Sequence, residues 1–177
     1  MRTKAIVIKK TPANEYDQIV TLYSEDFGTM RAMARGVCRP TSVQSMHLEL
    51  LNVVEFEVIN GRALPIISSA GMIVSYQGIR ASLPKLAAVQ FFTEVLDKIA
   101  FENERDTELW NFLNTMLTDF DNANEKNILP LFRTNQAKFL KVLGYDLQTH
   151  DDSELDPFFE YIAGRKLSSL SFLYSVL

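Results

Sequence analysis

The spacing of apolar residues changes once along this chain, near residue 70, and that change restricts the architecture more than any motif does. Up to that point β-branched residues and two-residue alternation dominate; beyond it, apolar residues recur every three or four positions. Side chains alternate across a strand but return to the same face of a helix after three or four residues. The chain therefore reads as α+β, a β domain over residues 1–80 followed by an all-α helical bundle over 81–177. Its 177 residues suffice for one large domain or two small ones.

The β segment offers five strands bounded by turn residues. They are residues 3–10 around the run Ala5-Ile6-Val7-Ile8, then 18–23, 29–35 closed by Gly36, 48–59, and 62–68. In the fourth, Val54, Phe56 and Val58 take one face and Glu55 and Glu57 the other. Asn60-Gly61 predicts a two-residue type I′ turn, in which both central residues need positive φ. Five short strands with a long connection around Pro40 fit a Greek-key barrel of the OB type, although an SH3-like barrel or a small sandwich has similar spacing.

In the helical segment, Ser82 and Pro84 open a helix reaching about residue 100, with Ala88, Phe92, Val95 and Ile99 on one stripe. Asp106 or Thr107 caps a second, striped by Leu109, Leu113, Met116 and Phe120. A third opens at Asn127 and Pro130, turns Phe132, Phe139 and Leu143 inward, and stops at Gly144. Beyond the acidic loop from His150 to Glu154, short helices are expected around 157–162 and 166–177.

Several function classes are excluded. Lone Cys38 has no disulfide partner, and without a second cysteine or a nearby histidine pair no metal site is expected. There is no Gly-x-Ser-x-Gly, phosphate loop or His-Glu-x-x-His, so no catalytic residue and no cofactor is assigned, and an enzyme is not expected. The acids Glu102, Glu104 and Asp106, and Asp151 with Asp152, read as solvated interhelical loops; His47 reads as a strand-edge residue and His150 as a loop residue. The amino-terminal stretch has only four consecutive apolar residues between basic ones, too few for a signal or a membrane span, so the expected compartment is the cytoplasm, without membrane association.

Net charge is −4, from 18 Lys and Arg against 22 Asp and Glu, which argues against a wholly basic coat. The halves differ, however: residues 1–80 hold 9 basic and 7 acidic side chains, and 81–177 hold 9 and 15. Within the first half, Arg31, Met33 and Arg35 share one strand parity, and Arg2, Lys4 and Lys10 another. With Lys9, Arg39 and Arg62 they form a candidate phosphate track, near which Tyr16, Tyr23 and Phe27 are placed to stack on bases. On the third long helix Thr134, Lys138 and Lys141 share a face, with Arg133 near its start; beside Phe132 and Leu140 they are candidates for an acidic, apolar peptide ending in a carboxylate. In both places the alternative is a solvated charged surface.

The stretch Tyr16-Asp17-Gln18-Ile19-Val20-Thr21-Leu22-Tyr23, then Gly28 and Ala34-Arg35-Gly36-Val37-Cys38-Arg39-Pro40-Thr41-Ser42, resembles the amino-terminal domain of the bacterial RecO recombination mediators. Gly61-Arg62-Ala63-Leu64 with Ile66-Ile67, Tyr76-Gln77-Gly78-Ile79-Arg80 with Leu83 and Leu86, and Phe139-Leu140-Lys141-Val142-Leu143-Gly144-Tyr145 extend the resemblance over about residues 1–146.

The resemblance implies an OB-fold barrel followed by a helical domain. It also implies a non-enzymatic DNA repair and homologous recombination role at the nucleoid: binding single- and double-stranded DNA, annealing strands, contacting RecR and the carboxy-terminal tail of single-strand-binding protein (SSB), and so indirectly loading RecA. Arg2, Lys4, Lys9, Lys10, Arg31, Arg35, Arg39 and Arg62 become the implied DNA contacts, and Arg133, Lys138 and Lys141 the implied contacts to the SSB tail. Val37 and Cys38 stand where the family carries a small residue and an Arg, and the stretch from Asp146 to Asp156 lacks the family's Cys-x-x-Cys zinc module. The alternative is an OB-fold interaction adaptor with little DNA binding.

Overall fold

The computed structural model describes residues 1–100, 104–145 and 152–177. Five strands, β1 (Arg2–Pro12), β2 (Gln18–Ser24), β3 (Gly28–Ala34), β4 (Val53–Ile59) and β5 (Ile66–Val74), close into a barrel in the order β1-β2-β3-β5-β4. All neighbouring pairs are antiparallel except β3 and β5, which meet in parallel at Met33 and Ile66. This is the five-stranded OB architecture. Alternation fills its interior: Ala5 and Val7 of β1, Val20 and Leu22 of β2, Met30, Ala32 and Ala34 of β3, and Val54, Phe56 and Val58 of β4 form one buried core with Ile67.

Two local expectations are corrected. The fourth strand starts at Val53, because the chain before it forms the short helix α1 (Gln44–His47) and then turns through Leu51 at φ 68°. The Asn52 amide donates to the carbonyls of Met46 and His47, closing that helix, so residues 48–52 are unavailable for a strand. His47 thus lies in α1, where Nδ1 accepts from the Met72 N–H at 3.3 Å, while the Gln44 amide donates to the Ser68 carbonyl. The β4–β5 connection is six residues long, from Asn60 to Pro65, rather than a two-residue turn. Gly61 is not among the positive-φ residues; it is needed for space, since a Cβ there would lie 2.0 Å from the Leu64 carbonyl oxygen. The loop contacts β3, with the Pro65 carbonyl accepting the Met33 N–H at 2.8 Å.

The chain divides into two compact units, one of Met1–Ser75 with Ala100–Asp106 and one of Tyr76–Ile99 with Thr107–Leu177. Residue 80 falls at the end of the short helix α2 (Gln77–Arg80). In the barrel unit, Tyr23 is buried and its hydroxyl donates to the Asp106 carbonyl at 3.4 Å.

The helical unit continues with α3 (Leu83–Ile99), α4 (Thr107–Asn122), α5 (Ile128–Val142), α6 (Asp152–Ala163) and α7 (Ser168–Val176). The predicted stripes bring in Phe92 of α3, Phe120 of α4, and Phe132 and Phe139 of α5, and the buried core also holds Phe91, Phe112 and, from α6, Phe159, which no stripe named. Phe91 meets Phe92, Phe132 and Phe159 edge-on, with centroids 4.9–5.1 Å apart. Such pairs add about 0.5–1.5 kcal/mol each beyond their burial. Asp152, Ser153 and Glu154 belong to α6 rather than a loop, while Glu102, His150 and Asp151 lie outside the described residues.

Candidate nucleic-acid interface

The cations of the barrel are sorted by strand register. On β1, Arg2 and Lys4 lie opposite Glu57 and Glu55 of β4, and the Arg2 guanidinium pairs with Glu55. That stretch of the sheet is a mixed-charge ladder. The ladder between β1 and β2 then slips by one residue between Val7 and Lys9. A one-residue slip exchanges the faces of everything beyond it. Lys10 therefore does not share the face of Arg2 and Lys4, as strict alternation predicts; it lies opposite buried Val20, and its ammonium pairs with Glu49 at 2.9 Å. Lys9 takes the outward position instead.

Lys9 lies opposite Thr21, and Thr21 opposite Arg31, so the three form one row across β1, β2 and β3. Arg35, just past β3, continues the outward parity of Arg31 through Met33. Arg31, Arg35, Arg39 and Arg62 are exposed, and none of the four pairs with an acid among the described residues. The topology brings the last three to one barrel end: the β1–β2 loop, the turn after β3 and the β4–β5 loop all lie there, since Gln18 is opposite Ala34 and Met33 meets Ile66 and Pro65.

That end is braced by Asp17. Its Oδ1 accepts the Gly36 N–H at 2.6 Å, and its Oδ2 accepts the Asn14 amide at 2.8 Å. Gly36 sits at φ +64°, a conformation that suits glycine. The Gly36 N–H, then Asn14, then the guanidinium groups of Arg35 and Arg39 hold the Asp17 carboxyl below the usual carboxylate range. The Tyr16 carbonyl accepts the Cys38 N–H at 3.0 Å, and the Arg39 guanidinium carbon lies 5.4 Å from the Tyr16 ring centroid. Of the three expected stacking rings, Tyr23 is buried and its hydroxyl is raised by burial and by Asp106; Phe27 is half-buried; Tyr16 is exposed.

In the helical unit the three implied tail contacts separate. Lys138 and Lys141 are exposed on α5, but Arg133 is turned into the bundle, where it donates to Gln136 Oε1 at 2.8 Å, Asp156 Oδ1 at 2.7 Å and the Tyr174 hydroxyl at 2.6 Å. Tyr174 in turn donates to Asp156, and its pKa is pushed up to about 12 by burial and by that carboxylate. Sequence reading missed this cluster because its members come from three helices. Among the described residues no three His, Cys, Asp or Glu side chains gather as a metal cage, and no helix is long and apolar enough to cross a membrane.

Comparison with known proteins divides the chain as its secondary structure does. The family described as Recombination protein O N terminal matches residues 1–76, and Recombination protein O C terminal matches residues 80–157. A DNA repair protein RecO of Dehalococcoides mccartyi is 33% identical over 136 residues, 76% of this chain and 53% of the relative. Its namesake in Synechococcus elongatus is 30% identical over 148 residues, 84% and 56% respectively. The chain thus spans about half the length of the curated relatives it matches. With an OB barrel and a helical unit in matching order, and both family halves aligned over them, the chain belongs to the RecO family.

Proposed function

We propose that this chain is a non-enzymatic mediator of DNA repair and homologous recombination whose barrel unit holds the phosphate backbone. The observation that carries the reading is the Lys9–Thr21–Arg31 row running toward Arg35, Arg39 and Arg62 at a single barrel end. In OB folds the face of strands 2 and 3 and the loops at this end are where oligonucleotides lie. Lys9 and Arg31, held on the sheet, neutralise phosphates with little ordering cost, and two strands neutralised together repel less and nucleate pairing. Annealing follows from that property, as does delivery of RecA to SSB-coated strands if RecR and the SSB tail engage the same molecule. Lys138 and Lys141 remain the basic positions offered to such a tail, whereas Arg133 is committed within the bundle.

Fluorescence anisotropy of a labelled single-stranded oligonucleotide tests this. If five cations contact phosphate, the slope of log K against log salt is about −3.5, from roughly −0.7 per contact on single strands. Arg31→Glu with Arg35→Glu is expected to weaken binding at least tenfold and to flatten the slope. Unchanged affinity and slope would remove the row from the site. The adaptor reading draws on the pairing of Arg2 with Glu55 and Lys10 with Glu49, which subtracts two cations from the track. It predicts no binding at micromolar protein in low salt.

A further inference from the structure

We propose that Tyr16, held beside Arg39 through Asp17, is a stacking platform for an unpaired base, and that it makes the barrel end prefer single strands over duplex. This rests on the reading of that end as a nucleic-acid interface and adds to it the class of strand selected.

Three observations converge. First, Tyr16 is the exposed ring at this end, with 40% of its surface accessible, and the guanidinium of Arg39 lies by its ring. A base stacked on an exposed ring beside a cation carries its phosphate into the reach of that cation.

Second, the loop bearing Tyr16 is fixed. The Asn14 side-chain oxygen accepts the N–H groups of Tyr16 at 3.0 Å and Asp17 at 2.9 Å, and the Asp17 carbonyl accepts the Ala13 N–H at 2.9 Å. Asp17 then ties this loop to the turn carrying Arg39 through Gly36, and the Tyr16 carbonyl does the same through Cys38. A ring whose backbone is already positioned loses little freedom on stacking.

Third, Asp17 is an anion within the electrostatic reach of Arg35 and Arg39, where a phosphate site would be stronger without it. Its hydrogen bonds give it a positioning role that offsets this charge. In duplex DNA the bases are stacked on one another, so the platform acts only where a base is unpaired.

The test measures anisotropy of matched single-stranded and duplex oligonucleotides with the full chain, checking each variant by thermal melting. Tyr16→Ala is expected to lower single-strand affinity about 5- to 100-fold while leaving duplex affinity unchanged, and Tyr16→Phe to restore binding. Asp17→Ala is expected to lower single-strand affinity despite removing a negative charge. Were Asp17→Ala to tighten single-strand binding, the carboxylate would act by charge alone and the positioning role would be overturned. Equal effects of Tyr16→Ala on single strands and duplex, or none on either, overturn the platform. If Arg31→Glu with Arg35→Glu still weakens binding at least tenfold in that case, the barrel-end interface stands without it. Absence of wild-type binding to either oligonucleotide overturns the interface and the platform together.

Discussion

Asp156 gathers three donors, from Arg133, Gln136 and Tyr174, and so ties α5, α6 and α7 to one carboxylate. Gln136 is fully buried, and a buried amide or guanidinium deprived of its acceptor loses its hydration without replacement. Asp156→Ala is therefore expected to destabilise the helical unit by about 2–3 kcal/mol, read as a lower urea midpoint by circular dichroism; a loss under half a kilocalorie would show that water replaces the carboxylate. The same cluster shows the limit of single-residue reading. Arg133 looks like an outward cation on the periodicity of α5 alone, because its partners lie 23 and 41 positions later. Lys9 and Lys10 exchange roles for a smaller reason, a single slipped position in β1 that leaves no mark in the pattern of residue types. Arg31 and Arg35, on a regular strand and its extension, were legible from parity.

At the scale of elements, α7 lacks a cap of its own, since the residue before it is Leu167. Glu94 of α3 supplies one from outside: its carboxylate accepts the Ser168 N–H at 3.3 Å, the Ser168 hydroxyl at 3.1 Å and the Ser169 N–H at 2.9 Å. Burial by itself pushes the Glu94 carboxyl up, but the bonds from Ser169 and Ser168 outweigh it and leave the group below its ordinary range. A lowered folded-state pKa means that the stabilisation is complete above the ordinary carboxylate pKa and is lost as pH falls through the lowered value. Glu94→Ala is expected to cost about 1–2 kcal/mol at neutral pH and to lose that difference in strongly acid solution. A pH-independent difference would contradict the capping role. Helix positions were readable because Phe92, Leu113 and Phe139 recur on stripes, and β4 because Val54, Phe56 and Val58 alternate. Residues 48–52 misled, since their apolar pattern continues that of β4 while Asn52 closes α1 behind them. Asn60-Gly61 carries a strong turn signal, yet the six-residue connection uses Gly61 for closeness to Leu64.

For the molecule as a whole, the formal charge of −4 hides the division that matters, between a mildly basic barrel segment and an acidic helical one. Within the barrel the division sharpens again: Arg2 and Lys10 are tied to Glu55 and Glu49, while Arg31, Arg35, Arg39 and Arg62 face solvent. So few exposed cations favour modest, salt-sensitive binding over a tight grip. The two-part order was legible in the sequence because the apolar period changes only once. The convergence of three loops at one barrel end was not, because it depends on the strand order β1-β2-β3-β5-β4 and on the meeting of Met33 with Ile66 and Pro65. The most direct measurement is a titration of the ¹⁵N-labelled chain with a short single-stranded oligonucleotide, followed by amide chemical shifts. The account predicts that the largest changes fall on Lys9, Tyr16, Thr21, Arg31, Arg35, Gly36 and Arg62. Changes confined to residues 76–99 and 107–177, with those amides unmoved, would contradict it.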